Sequence, residues 1–83
     1  MYNVRILRRA IKDIANLPKG YARLISQHID HLGEDPRPPD AKKLRGTSDY
    51  SLRVGMYRIL YDIDDETCTV TVYRVKHRRE SYR

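Results

Sequence analysis

Residues 50–76, YSLRVGMYRILYDIDDETCTVTVYRVK, predict three consecutive β-strands. Apolar side chains recur at every second position through most of this stretch, and many are β-branched or aromatic, which is typical of strands with one buried face. Gly55 and Met56 provide a short turn between strands at 50–54 and 57–64, and the polar residues 64–66 provide a second turn before a strand at 67–76. Short turns join antiparallel neighbours, so the stretch predicts an antiparallel meander.

The residues that precede this meander predict one strand and a helical hairpin. Tyr2, Val4 and Ile6 alternate as in a half-buried strand at 2–7. The apolar spacing then becomes helical, first at Leu7, Ala10, Ile11, Ile14 and Leu17 and, beyond Pro18, at Tyr21, Leu24, Ile25, His28, Ile29 and Leu32. Gly33 ends the second helix, and three prolines within 34–40 keep the next segment extended.

These elements predict one α+β domain that spans residues 1–83. Its order is an N-terminal strand, a helical hairpin and a three-stranded antiparallel meander. Because each helix has a single apolar stripe, both helices must pack on one face of the sheet. The other face of the sheet is then left open.

Strand alternation predicts which side chains stand on the open face. Leu52 and Val54 share one side of their strand, and the next strand turns four apolar residues to that same side: Tyr57, Ile59, Tyr61 and Ile63. Arg53 and Arg58 are therefore placed on the opposite side, as neighbours across a short turn. Two adjacent guanidinium groups repel unless an anion lies between them, and a phosphate suits their geometry. In the last strand, Cys68, Val70 and Val72 are expected to point to the core, whereas Tyr73 and Val75 are out of phase with them and leave the alternation of its second half open.

Composition narrows the class of protein. The net charge is +6, with a basic surplus near both ends of the chain, and seven tyrosines are the only aromatic residues. A basic surface favours nucleic acid or an acidic protein as the partner. Arg5, Arg8 and Arg9 interrupt the start of the chain, and no long apolar run exists, so we expect a soluble cytoplasmic protein without membrane contact.

Metal and cofactor sites are not expected. Cys68 is the only cysteine, which excludes a multi-cysteine zinc site, and a core position suits it better than a role as nucleophile. His28 and His31 are three residues apart but have no evident third ligand. The acidic run at 62–66 is better explained as a solvated hairpin tip.

Five segments of the chain resemble the RelE/ParE toxin superfamily, and its RelE branch in particular. They are LP at 17–18, EDPRP at 34–38, KKLRG at 42–46, LRVGMYRILY at 52–61 and VKHRRESYR at 75–83. The resemblance implies a RelE-like fold and the toxin of a type II toxin–antitoxin pair. It also implies a ribosome-dependent endoribonuclease, which cuts mRNA in the ribosomal A site and is neutralised by an acidic antitoxin.

The resemblance further implies which residues form the site. Arg53, Arg58 and Arg78 match basic positions of the family's active site, Tyr82 matches a C-terminal tyrosine, and His77 stands where several relatives have a histidine. Ser51 departs from the pattern, because some relatives have a lysine there. The remaining expected RNA contacts are Lys42, Lys43, Arg45, Tyr50, Ser51, Lys76 and Arg79.

The chemistry implied by this site needs no metal. The RNA 2′-hydroxyl attacks the adjacent phosphorus, and the enzyme moves protons and holds the charged oxygens. His77 is the first candidate for proton transfer and Tyr82 the second, while the three arginines bind the phosphate oxygens.

Two other functions remain open at this point. One is a ParE-type inhibitor of DNA gyrase, a binding protein that would need neither His77 nor Tyr82. The other is an inactive scaffold that binds only its antitoxin. Fold alone does not separate these functions from the nuclease.

Overall fold

The computed structural model describes residues 1–79, which form a five-stranded sheet and two helices. The elements are β1 (Asn3–Ile6), α1 (Arg8–Ala15), α2 (Lys19–His31), β2 (Ala41–Lys43), β3 (Asp49–Val54), β4 (Tyr57–Asp64) and β5 (Thr69–His77). The strand order is β1-β5-β4-β3-β2, with β1 parallel to β5 and the other neighbours antiparallel. The predicted α+β class and the β3–β4–β5 meander are confirmed.

The core lies between the helical hairpin and one face of the sheet. Its helical side chains are Ala10, Ile25, Ile29 and Leu32, and its strand side chains are Leu52, Val54, Ile59, Tyr61, Ile63, Val70, Val72 and Val75. All of them are buried, as the alternation in β3 and β4 predicts. Neither helix within residues 1–79 is long and apolar enough to cross a membrane.

Strand β2 was not predicted from the sequence. It pairs with β3 through three residues, with Ala41 opposite Leu52, Lys42 opposite Ser51 and Lys43 opposite Tyr50. Two lysines after a proline-rich segment carry no strand pattern of their own, so this strand is defined by the partner it pairs with. Short, lysine-bearing edge strands are also those that resist pairing with other chains.

An irregularity in β5 decides the orientation of its second half. Leu60 pairs with Arg74, whereas the next residue, Tyr61, pairs with Val72, so β5 contains one extra residue at this point. A bulge of this kind reverses the alternation beyond it, and Val75 is therefore buried together with Val72. The expected core position of Cys68 is wrong, because Cys68 is exposed in the turn before β5 with φ 52°.

Tyrosines attach the proline-rich segment to the helix-side face of the sheet. The buried Tyr61 hydroxyl donates a hydrogen bond to the Pro36 carbonyl oxygen at 2.8 Å, and burial raises the pKa of Tyr61 to about 12. Tyr50 stacks on Tyr61 with ring centroids 5.7 Å apart and accepts a hydrogen bond from Arg37 Nε at 3.0 Å. Arg37 also forms an ion pair with Asp65 at 2.8 Å.

We expect Tyr61→Phe to destabilise the protein by about 1–2 kcal/mol, because the buried Pro36 carbonyl loses its hydrogen bond. Tyr50→Phe is the matched control: it removes a hydroxyl whose bond to Arg37 is exposed, so we expect a loss of less than about 0.5 kcal/mol. Urea unfolding of both variants measures the difference. Equal losses would contradict the importance of the buried bond.

Candidate nucleic-acid interface

Three cationic side chains form a row across the open face of the sheet. Arg53 on β3 lies directly opposite Arg58 on β4, and Arg58 lies directly opposite Lys76 on β5. We call these three residues the basic row. Directly opposed residues on adjacent strands have Cβ atoms roughly 5 Å apart, which is close enough for one phosphate to contact two of them. The predicted proximity of Arg53 and Arg58 is confirmed.

The turn between β3 and β4 holds the two arginines in register. Gly55 has φ +61°, and a Cβ atom there would lie 3.2 Å from the Tyr21 ring of α2. Glycine therefore allows the turn to pack directly on the helical hairpin. Arg53 Nε donates a hydrogen bond to the Gly55 carbonyl oxygen at 3.2 Å, so the exposed Arg53 is tied to the same turn.

Ser51 and Lys42 extend the polar surface beside the basic row. Ser51 is only 3% exposed, and its Oγ lies 3.5 Å from Arg58 Nη1, which donates to it. Lys42 is the residue of β2 opposite Ser51, so its side chain starts on the same face of the sheet. The structure thus places Lys42, from the neighbouring strand, next to Ser51, the position at which some relatives have a lysine.

The structure does not bring His77 together with the basic row. His77 pairs with Tyr57, and its ring meets the Tyr57 ring edge-on with centroids 5.5 Å apart. Tyr57 in turn packs against Tyr21 of α2 at 4.9 Å, so both rings lie on the helix side of the sheet. His77 Nδ1 accepts a hydrogen bond from the Arg79 amide at 3.3 Å. The expectation that His77 lies with Arg53 and Arg58 is wrong, because the bulge in β5 directs Lys76, and not His77, to the open face.

Two of the expected RNA contacts also lie on the helix side. Tyr50 is engaged with Tyr61 and Arg37, and Lys43 is its partner across β2 and β3. Arg45 is exposed in the loop after β2. The expected contacts in the strands that share the open face with Arg53 and Arg58 are therefore Lys42, Ser51 and Lys76.

Residues beyond β5 continue toward the β3–β4 turn. The Arg78 amide donates a hydrogen bond to the Met56 carbonyl oxygen at 2.7 Å, which keeps the chain beside the end of the sheet where Arg53 and Arg58 lie. Arg78 and Arg79 are both exposed. Tyr82 lies outside the described residues.

A contact that sequence reasoning missed fixes the second half of β5. Asp13 on α1 accepts hydrogen bonds from the Val75 amide at 2.9 Å and from Arg74 Nε and Nη2 at 2.8 and 3.2 Å. Partial burial acts to raise the pKa of Asp13, but the bonds from Arg74 and Val75 outweigh it and hold that pKa below its usual value. In the sequence, Asp13 is one more polar residue on the outer side of a helix, and only the tertiary contact distinguishes it.

Titratable side chains do not gather elsewhere into a metal site. Within residues 1–79, no three His, Cys, Asp or Glu side chains are close enough to hold a metal ion. The open face instead presents guanidinium and ammonium groups, which bind anions. Its arrangement suits the backbone of a nucleic acid.

Comparisons with known proteins show the family of this chain. Residues 4–82 match the family described as "ParE toxin of type II toxin-antitoxin system, parDE". The chain is 38% identical over 86 residues to "Toxin RelG" of Mycobacterium tuberculosis, covering 99% of this chain and 97% of that protein.

Comparison with solved structures agrees with this family. A chain of the toxin–antitoxin complex RelBE2 from Mycobacterium tuberculosis matches with a TM-score of 0.83 and 36% identity, covering 93% of this chain and 98% of that chain. A chain of the archaeal RelE–RelB complex from Pyrococcus horikoshii matches with a TM-score of 0.84 and 30% identity, covering 93% and 94%. The chain therefore belongs to the RelE/ParE superfamily and is a RelE-family toxin of the type II toxin–antitoxin class.

Proposed function

We propose that this protein is a ribosome-dependent endoribonuclease that cleaves mRNA without a metal ion. The observation that carries the proposal is the basic row, in which three cations from three strands stand side by side on the face of the sheet opposite the helices. Membership of the RelE family supports the same reaction.

The basic row has a defined task in this reaction. When the 2′-hydroxyl loses its proton, its oxygen attacks the adjacent phosphorus, and the bond to the 5′-oxygen of the next nucleotide breaks. The products are a 2′,3′-cyclic phosphate and a 5′-hydroxyl that has gained a proton. Negative charge builds up on the two non-bridging oxygens at the transition state, where the Arg53 and Arg58 guanidinium groups stabilise it.

Two residues are assigned to proton transfer. Tyr82, which lies outside the described residues, remains the candidate base implied by the family resemblance, and a tyrosine can act as a base where cations favour its phenolate form. The Lys76 ammonium is in the row itself and can donate a proton to the leaving 5′-oxygen. His77 is on the other side of the sheet, so we no longer assign it this task.

Lys42 takes part in RNA binding in this proposal. Its position opposite Ser51 extends the positive surface from β5 to β2, across the whole width of the meander. Arg45 and Arg79, at the two sides of that surface, contact the backbone of mRNA or ribosomal RNA. Such contacts position the protein without reading sequence.

The partner that restrains the toxin is an acidic antitoxin. The two solved structures compared above are the toxin–antitoxin complex RelBE2 and a RelE–RelB complex. A net charge of +6 favours a partner of opposite charge. We expect the bound antitoxin to cover Arg53 and Arg58 or to displace the residues after β5.

The first test is cleavage of mRNA on ribosomes programmed with a defined A-site codon. We expect the wild type to cut in the A site, and Arg58→Ala to be slower by about 10²–10³-fold because one phosphate donor is lost. Arg23→Ala is the control: it removes an exposed arginine of α2 and the same charge, and we expect it to retain activity.

Two results would contradict the proposal. Cleavage by Arg58→Ala at the wild-type rate would exclude the basic row from the reaction. A folded wild type that cuts no mRNA but inhibits DNA gyrase would identify the ParE-type activity instead.

His77 provides a second test. Because its ring packs on Tyr57 and faces away from the row, we expect His77→Phe to keep that packing and a cleavage rate within roughly threefold of wild type. The pH dependence of the rate should keep its shape. A loss of about 10²-fold or more, together with the disappearance of one limb of the pH–rate profile, would restore His77 as the proton-transfer group.

A further inference from the structure

Lys76 is flanked on both sides by residues that are fixed to the helix side of the sheet. Before it in the chain, the Val75 amide donates to Asp13 at 2.9 Å. After it, the His77 ring is held edge-on against Tyr57. The backbone of Lys76 is therefore confined from two directions, and its side chain is directed to the open face beside Arg58.

Asp13 contacts β5 beyond the end of its pairing with β1. Strand β1 pairs with β5 only from Asn3 opposite Thr69 to Ile6 opposite Val72, so within residues 1–79 no strand pairs with the rest of β5 at that edge. The Asp13 carboxylate provides the acceptor for the Val75 amide at that edge, as a neighbouring strand would. The Asp13 carboxylate also forms an ion pair with Arg74 at 2.8 Å, which connects the strand to α1. Both side chains of this pair are about one-fifth exposed.

We propose that Asp13 is a positioning residue for the nuclease site. It acts from the opposite side of the sheet, by fixing the bulged half of β5 so that Lys76 completes the basic row. The inference rests on the proposed nuclease function. Asp13 itself does not touch the RNA, because its carboxylate is committed to Arg74 and the Val75 amide.

This role predicts a specific kinetic signature. Without the Asp13 acceptor, the free edge of β5 loosens and Lys76 is no longer held at the phosphate, and a misplacement of about 1 Å in a site can cost up to about 100-fold. We expect Asp13→Ala to lower kcat on programmed ribosomes by about ten- to a hundredfold, with KM for the ribosome changed by roughly twofold at most.

Replacement of Asp13 by asparagine separates the effect of the hydrogen bond from the Val75 amide from the effect of the negative charge. Asp13→Asn keeps an oxygen that can accept from Val75, so we expect it to recover most of the kcat lost in Asp13→Ala. Asp30→Ala is the matched control, since it removes an exposed carboxylate of α2 and should leave kcat unchanged. The pH profile of Asp13→Ala should keep the wild-type shape, because Asp13 transfers no proton.

A second measurement follows the strand without using activity. Hydrogen exchange of the Val75 and Lys76 amides, read by NMR on the full chain, should be slow in the wild type and in Asp30→Ala and faster in Asp13→Ala. The kinetic comparison is made on the folded fraction, at a temperature at which urea unfolding shows each variant to be native. In this way a loss of folding is not counted as a loss of kcat.

The outcomes separate the two proposals. A wild type that does not cleave would overturn the nuclease proposal, and with it the part played by Asp13 in catalysis. Unchanged kcat in folded Asp13→Ala, an increase confined to KM, or unchanged amide exchange would overturn the positioning role while leaving the nuclease in place. A loss in Asp13→Ala that Asp13→Asn reverses would support it.

Discussion

The two-residue repeat of side chains along β3, β4 and β5 is the constraint on which the rest of the molecule depends. Because the helical hairpin covers one face of the sheet, every second side chain must be apolar, and the residues between them are left for the other face. In β3 and β4 this repeat is uninterrupted, and it sets Arg53 opposite Arg58. In β5 one extra residue shifts the repeat, and that shift brings Lys76 to the same face.

The two faces consequently have different tasks. The helix side holds Tyr50, Tyr57 and Tyr61, His77 and the attachment of the proline-rich segment through Pro36 and Arg37. The open side holds the basic row and the buried Ser51. Core packing is thus kept apart from the basic row in a chain of only 83 residues, although the two are joined at the edge of β5, where Asp13 contacts the strand that carries Lys76.

Sequence alone predicted the features that depend on regular periodicity. The helical hairpin, the meander and the proximity of Arg53 and Arg58 all follow from spacing and from one short turn. The features that it missed depend on tertiary contacts. Strand β2 exists because β3 offers it an edge, and Cys68 is exposed because the turn before β5 extends further than its polar residues indicate.

The bulge explains the largest error in the site. Regular alternation from Val70 and Val72 would carry Arg74 and Lys76 toward the helices and leave His77 on the open face. With the extra residue, Val75 and His77 face the helices and Lys76 faces outward. In the sequence, Tyr73 and Val75 stand out of phase with Val70 and Val72 and leave the alternation undecided, but they do not show which residue is the extra one.

The same bulge has a consequence for comparing this protein with its relatives. The position of the extra residue in β5 decides which side chains reach the open face as much as the identity of those side chains does. A lysine and a histidine that stand next to each other in the chain exchange faces when that insertion moves or is lost. Evolution can therefore change the chemistry of such a surface without replacing any of the residues in it, and alignments of the C-terminal motif identify equivalent residues only where the strands bulge at the same place.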